Sequence, residues 1–472
     1  MPVVHRKVAL GIAIAVIVLA GVLTAIHLKI IKLPTITTTV TRTVTKAPSQ
    51  TTTSTTGAGG VTSVTATSTT KAPSSGCVMY VIYSKFPTTN ERKVIDNVVK
   101  IIQNDFSRVG FTCSNYQLVS RDRFPNLDLP AYPAVIINKE VPSRFKDAFV
   151  KVGNYWLLKP PIFYYLLRSY GANASIMTFI HKSRAYVVSG SLNFSRISIS
   201  DEYIKGNKSI YLREFITWTT GTEVTEVELA TPNQFSDLPY YPAIVVVPED
   251  GFNISKYSPL LIPVGSKYVY STGWFANSVL PFLERVSGKR IYLEVHRKPD
   301  MSGPHIGSPN APVKVLIFED VHCPFCAKFY NETLPKVLKN YVDTGKVEFI
   351  FKDLVVHLSS RPLQEALVCF YEKTGDNQKY FQVMNELYKL LLSGSRVDMA
   401  VLSKVLGMNA TKLMHECNAS KIISSERVEA EKYGALGTPT FVMWSEKKGL
   451  GTVVVGFINY DEFSRIVNEL LK

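Results

Sequence analysis

The chain has 472 residues, 46% of them hydrophobic and 11% aromatic, with 53 Lys and Arg against 38 Asp and Glu, a formal charge of +15. That length allows roughly two to four domains with separate cores. The basic residues are spread along the chain in runs no longer than two, so the charge reads as a solvated surface and not as a nucleic-acid footprint; an acidic membrane or cell-wall surface is the better-matched neighbour.

Residues 8–28, VALGIAIAVIVLAGVLTAIHL, contain no Asp, Glu, Lys or Arg over 21 positions, enough to cross a bilayer as a helix. Positive charge flanks the span on both sides, Arg6 and Lys7 before it and Lys29 and Lys32 after it, so charge bias alone orients it weakly. Residues 1–29 are expected to be a membrane anchor, with cleavage as a signal peptide near Ala25 as the other reading. Residues 30–76 are rich in Thr and Ser and hold few bulky apolar side chains, which predicts a disordered stalk. Seven Asn-X-Ser/Thr sequons, the first at Asn173 and the last at Asn418, agree with a location outside the cytoplasm.

The folded region opens with an apolar strand, CVMYVIYS (77–84), and a helix over 89–110 whose Val94, Ile95, Val98, Val99, Ile101 and Ile102 form one apolar face. A strand follows near 115–120. Then comes DLPAYPAVII (128–137), which recurs as DLPYYPAIVV (237–246), 109 residues later. Each copy leads into a strand and a helix: NYWLLK (154–159) and IFYYLLRSYG (162–171) in the first, SKYVYS (266–271) and ANSVLPFLERVSG (276–288) in the second. Pro281 inside that last helix should kink it or mark its start. The first half of the second copy is fainter, with AYVVSGS (185–191), YLREFITWTTG (211–221) and TEVTEVEL (222–229). Aromatic residues gather around both repeats. Most are expected in cores, while Tyr132 and Tyr241, beside Pro133 and Pro242, are candidate contacts for unfolded peptide.

Further on, the buried-strand pattern PVKVLIFEDVH (312–322) runs into Cys323-Pro-Phe-Cys326 and a helix, AKFYNETLPKVLKNYV. Two cysteines two residues apart at a strand-to-helix junction form a dithiol poised for exchange. The unpaired N–H groups and partial positive charge of the helix start favour a thiolate on the first cysteine, and the thiolate is the attacking species. Downstream, GTPTFVM (437–443) places Thr438-Pro439 at the entry to another strand, followed by TVVVGF (452–457) and the helix DEFSRIVNELLK (461–472). An X-Pro step leading into strand, strand and helix thus occurs three times. All three prolines, Pro133, Pro242 and Pro439, are expected to be cis, a rare state of X-Pro bonds. Glu319 and Asp320 precede the dithiol; surface charge is one reading and an acid–base partner for Cys326 the other. A Cys-X-X-Cys can also be half of a zinc site, but with no second such pair a metal would have to recruit scattered residues such as His357 or His415.

On GSPNAPVKVLIFEDVHCPFC (307–326) and LGTPTFVM (436–443) the chain resembles the DsbA-type thiol–disulfide oxidoreductases over 299–472, with residues of about 355–435 matching that family's helical insertion in a thioredoxin fold. The resemblance implies Cys323 as the attacking thiolate, Cys326 as the resolving thiol and Pro439, preceded by Thr438, as the cis-proline facing them; no cofactor or metal is implied. Phe325 stands where the best-known relative has a histidine that helps stabilise the thiolate. The expected architecture is therefore α/β: a thioredoxin-like domain with a helical insertion (299–472) after two tandem thioredoxin-like units without a dithiol, 77–181 and 182–298. This resembles protein disulfide isomerases in architecture, where redox-inactive units sit beside active ones.

Six cysteines leave four beyond the dithiol. Cys77 opens the first strand and Cys113 lies just before its parallel neighbour, and Cys369 and Cys417 both fall in the helical insertion; two disulfides or buried free thiols are the alternatives. The expected activity is disulfide formation in exported proteins by a membrane-anchored, extracytoplasmic oxidoreductase. Unfolded or cysteine-containing exported proteins would be its partners, together with a membrane redox partner that recycles the dithiol. Isomerase or reductase activity is one alternative. A cell-surface binding protein whose Cys323–Cys326 bridge is purely structural is another.

Overall fold

The computed structural model describes residues 76–113, 115–172 and 174–472. The expected membrane helix at 8–28 and nearly all of the stalk lie outside these residues. Among the described residues no helix is long and apolar enough to cross a membrane.

Within Val78–Lys472 there are three main sheets. The first has the order β2-β1-β4-β6-β5, built from β1 (Val78–Tyr83), β2 (Asn115–Ser120), β4 (Ala134–Ile137), β5 (Phe149–Val152) and β6 (Tyr155–Leu158). The second has the order β12-β13-β11-β8-β9, from β8 (Lys182–Val188), β9 (Glu223–Ala230), β11 (Ala243–Pro248), β12 (Leu261–Val264) and β13 (Lys267–Tyr270). The third has seven strands in the order β10-β14-β19-β18-β16-β17-β15. They are β10 (Tyr240–Tyr241), β14 (Leu293–Val295), β15 (His305–Ile306), β16 (Val313–Glu319), β17 (Val347–Asp353), β18 (Thr440–Ser445) and β19 (Leu450–Val455). A two-stranded ribbon joins β3 (Ala131–Tyr132) to β7 (Thr178–Phe179).

The connectivity repeats. In each sheet two neighbouring strands run parallel, β1 with β2, β8 with β9 and β16 with β17, and a helical crossover joins them. Parallel neighbours require such a crossover. In each, a third strand, β4, β11 or β18, pairs antiparallel with the first of the two, and a cis X-Pro bond stands immediately before it: Tyr132–Pro133, Tyr241–Pro242 and Thr438–Pro439. A fourth antiparallel strand and a helix complete each unit. The third sheet runs across the boundary drawn at residue 298, because β14 and β10 extend it beyond β19.

Local sequence explains these elements. The first crossover helix, Thr89–Ser107, begins at a capping box in which Thr88 and Glu91 satisfy each other's backbone N–H, and it buries Ile95, Val98, Val99, Ile102 and Phe106. The last helix, Tyr460–Leu471, is capped by Asn459 and buries Phe463, Ile466, Val467 and Leu470, an i, i+3, i+4, i+7 stripe. Each such side chain contributes about 1.5–3 kcal/mol when fully buried. Pro281 sits at the second residue of the helix Leu280–Ser287, and the turn before it, Phe275–Val279, widens to a π-helix. The helix neither begins nor breaks at the proline: it runs continuously from Thr272 to Ser287, and the wide turn accommodates the missing N–H and the ring.

Helices Arg361–Thr374, Asn377–Leu392, Met399–Leu406 and Ala419–Lys432 form the insertion between β17 and β18. Cys369 and Cys417, 48 positions apart in sequence, form a disulfide inside it with Cα atoms 5.4 Å apart. Cys77 and Cys113 are also disulfide-bonded. Cutting a loop of that length out of the unfolded ensemble stabilises by about 4 kcal/mol when the native geometry is unstrained. Cys369→Ser with Cys417→Ser should lower the unfolding free energy by an amount approaching that figure, read from denaturant melts of the full chain, and leave the titration of Cys323 in place.

Candidate active site

The site lies where β16 ends. Every side chain of β16 is buried, which carries the chain into the interior up to Glu319. Asp320 then turns it: its backbone carbonyl accepts from Cys323 N at 2.9 Å, and Cys323 becomes the N-cap of the helix Pro324–Glu332 with Pro324 as its first residue. Proline suits that position because the first N–H of a helix has no internal partner and its φ is already helical. Cys323 keeps 3% of its surface exposed and Cys326, one turn inside, none, while Phe325 between them is 57% exposed and reachable from outside.

Both cysteines are thiols here. The Cys323 Sγ–H donates to the Thr438 carbonyl at 3.2 Å, which joins the dithiol to the cis-Pro439 loop. Hydrogen bonding from the Cys326 thiol lowers the Cys323 pKa most; burial opposes it, while Thr438 and the N–H groups of Cys326 and Phe325 lower it further, to about 6. The Thr438 hydroxyl has no partner beside the neutral thiol. Ionised sulfur gives it an acceptor, which is how it favours the thiolate. Burial pushes the Cys326 thiol well above its ordinary value, and the neighbouring Cys323 and Glu319 push it further. The two sulfurs are thus separated in character: a ready nucleophile at the mouth and a protonated thiol behind it.

Glu319 and Asp320 are not surface charges. Both are fully buried, because the insertion helices roof the end of β16. Glu319 accepts from Tyr330 Oη at 3.2 Å and Tyr388 Oη at 3.3 Å, and burial with help from Asp353 raises its pKa well above the carboxylate range. It is a buried acid within electrostatic reach of Cys326. Asp320 accepts from the N–H groups of His322, Val356 and His357, each at 2.8 Å, and from the Ser360 hydroxyl, so it ties the turn before the dithiol to the start of the insertion. His322 is held by the Ser360 hydroxyl at 3.0 Å and the Val397 carbonyl at 2.8 Å. Sequence reasoning did not single out Tyr330, Tyr388 or Ser360. The spacing of Tyr330, eleven residues past Glu319 on the next helix, was the one local signal available.

Tyr132 and Tyr241 do not belong to this site. They are 9% and 3% exposed, and their backbones pair with Thr178 and Glu294. Neither offers an aromatic face to a substrate, which corrects the reading of the repeat aromatics as contact residues. They are buried because each stands one residue before a cis-proline at the inner end of a sheet. The cis-Pro439 loop is instead supported from the second unit. Asn277 Nδ2 donates to the Gly434 carbonyl at 3.0 Å, and Gly434 has φ of +71° with Thr272 O and Ala276 Cβ so close that an added Cβ would lie 2.8 and 2.9 Å from them. Only glycine fits there without displacement.

Residues 300–469 match the family described as Thioredoxin. The chain is similar to the disulfide bond formation protein D of Bacillus subtilis, 27% identical over 189 residues that span 38% of this chain and 82% of the relative. It is also similar to the probable disulfide bond formation protein D of Bacillus cereus, 28% identical over 147 residues, 29% of this chain and 67% of that one. Among solved structures, oxidised BdbD from Bacillus subtilis aligns at 22% identity and a TM-score of 0.31, covering 37% of this chain and 99% of that one. DsbA of Chlamydia trachomatis aligns at 21% identity and a TM-score of 0.32, covering 37% and 94%.

Two measurements check the site. Alkylation of reduced protein should titrate with a midpoint near pH 6 and label Cys323 before Cys326, and Cys326→Ala should move that midpoint up towards the ordinary thiol value by removing its main hydrogen bond. Because the folded pKa is depressed, the stabilisation of the reduced form is fully present above the unfolded thiol pKa and is lost as pH falls through about 6. Gly434→Ala should destabilise by about 1–3 kcal/mol through the crowded Cβ and slow thiol exchange by displacing Thr438, read from denaturant melts and from the rate of disulfide transfer to a small dithiol peptide. With a thioredoxin-like domain at 300–469 and a paired reactive and shielded thiol at its helix start, this chain is a thiol–disulfide oxidoreductase.

Proposed function

We propose that this protein forms disulfides in exported proteins, acting through Cys323-Pro-Phe-Cys326 from an extracytoplasmic position and anchored by residues 8–28. The low pKa of Cys323 carries the reading. A stabilised thiolate favours the reduced form of the pair, and a pair whose reduced form is stabilised is a strong oxidant. In the forward step a substrate thiolate attacks Sγ of Cys323 in the oxidised pair. The S–S bond breaks, Cys326 leaves as a thiolate and takes a proton, and a mixed disulfide joins substrate to Cys323. A second substrate thiolate then attacks the substrate sulfur, and Cys323 departs as the thiolate its surroundings favour. The substrate loses two electrons and the pair gains them. Glu319 is the group placed to supply the proton to Cys326 and to reclaim it when a membrane partner reoxidises the dithiol. Pro439 and Thr438 face the exchange, and Phe325 is the exposed side chain beside it.

The first two sheets are read as thioredoxin-like units without a dithiol, a reading supported by their shared connectivity and cis-prolines. Counting five residues beyond the strand residue paired next to each cis-proline gives Cys323 in the third sheet, and Pro87 and Asn193 in the first two. The extracytoplasmic placement is supported by the charge-free span, the sequons and two disulfide-bonded pairs of cysteines outside the dithiol.

The reduction potential of Cys323–Cys326 should lie nearer about −120 mV than about −270 mV, measured by equilibration with glutathione. A value at the lower end would make the protein a reductase, and absence of activity on both reduced ribonuclease and insulin would leave a structural bridge. Glu319→Gln should slow turnover several-fold while leaving the first alkylation of Cys323 nearly unchanged, since the carboxyl serves the inner thiol.

A further inference from the structure

Each cis-proline in this chain is preceded by a short stretch of backbone at the end of a sheet. In the first unit that stretch is β3, and it is occupied: Ala131 pairs antiparallel with Phe179 and Tyr132 with Thr178, and Ile180 N donates to the Pro130 carbonyl at 2.9 Å. In the second it is β10, also occupied: Tyr240 pairs with Val295 and Tyr241 with Glu294. In the third it is Gly437–Thr438, which lies in no strand and remains partly exposed; its carbonyls accept only from side chains, Thr440 Oγ1 at 2.7 Å and the Cys323 thiol at 3.2 Å, and the second of these bonds is absent when Cys323 is in a disulfide. The two occupants come from the chain itself. β7 stands just before β8, the first strand of the second sheet, and β14 is itself a strand of the third sheet through its pairing with β19.

The second occupant sits as a bound peptide would. Glu294, opposite the residue before the cis-proline, is 1% exposed and extends its carboxylate into the loop after β8. That loop is the counterpart of the dithiol loop. The carboxylate accepts from Ser191 N and Leu192 N, both at 2.9 Å, and from Ser191 Oγ and Ser195 Oγ, both at 2.6 Å, with His296 Nε2 at 3.0 Å. Tyr292 N adds a bond to the Phe194 carbonyl at 2.9 Å. Backbone pairing at the cis-proline edge combined with one side chain in the loop is the geometry of strand addition, with main-chain bonds giving affinity and a pocket selecting the side chain. The first clasp has backbone pairing and the Phe179 ring near Tyr164, centroids 6.3 Å apart, but Thr178 is exposed and anchors nothing.

We propose that the edges beside Pro133 and Pro242 are peptide-binding edges that this chain closes with its own segments, Thr178–Phe179 and Leu293–Val295, so that they link the sheets in series and take no substrate. The edge beside Pro439, the substrate edge of the thiol-exchange reading on which this part rests, is the one of the three that no strand of the described residues closes. Glu294 is the positioning residue of the second clasp.

Hydrogen exchange on the full chain tests this in two arms. In the first, Glu294→Ala should raise the exchange of Tyr240, Tyr241 and Val295 amides at least tenfold while amides of β16 and β18 stay protected, and Glu294→Gln, which keeps the shape, should give a smaller rise. Unchanged protection in both variants would overturn the clasp. Loss of protection throughout in Glu294→Ala would move the decision to Glu294→Gln alone. In the second arm, Cys326→Ser is trapped as a mixed disulfide with reduced, unfolded ribonuclease A. New protection should appear at Gly437–Thr438 and none should change at 131–132 or 240–241. Substrate-dependent change at either of the latter would overturn the inference. Failure to trap any mixed disulfide would count against the exchange reading and leave the first arm to decide the clasp.

Discussion

The hydrogen bond from the Cys323 thiol to the Thr438 carbonyl joins two points 115 residues apart in sequence, and the chemistry of the site depends on that junction. One side of it is a strand-to-helix turn fixed by Asp320. The other is a cis-proline loop. Each can hold its position only because the rest of the fold over-determines it: the buried β16 delivers the cysteine, β18 departs from the proline, and the two strands lie antiparallel in the same sheet. Moving either partner by a fraction of an ångström would alter the thiolate's surroundings before it altered any global property.

Much of this was legible in the chain. The dithiol, the Thr-Pro step and the duplicated Asp-Leu-Pro-X-Tyr-Pro segment are short motifs whose meaning is local, and local chemistry survives being read without a structure. Glu319 and Asp320 were not legible in the same way. Two adjacent acids look like surface, and what buries them is a helical layer contributed by residues some 40 to 70 positions later, including Ser360 and Tyr388. The desolvation that raises the Glu319 pKa therefore has no signature near Glu319 itself.

Tyr132 and Tyr241 illustrate the opposite error. Their aromatic character pointed to an exposed binding face, yet the partners that cover their backbones are strands of two and three residues, Thr178–Phe179 and Leu293–Val295. Such short strands carry no periodicity, since alternation needs four or more residues to be seen. The π-helical turn at Phe275–Val279 was equally silent: Pro281 announced an irregularity, and only the packed structure decided that the chain would widen before it instead of bending at it.

The third sheet ends on both sides in strands of two residues, Tyr240–Tyr241 and His305–Ile306. A long unpaired border recruits sticky chains and holds them, and truncated borders are one of the ways proteins avoid this. For the exchange reaction proposed above the consequence is kinetic: with so little open border, a partner's residence is governed by the covalent bond to Cys323 and not by accumulated backbone pairing, and once that bond is exchanged away little remains to delay departure.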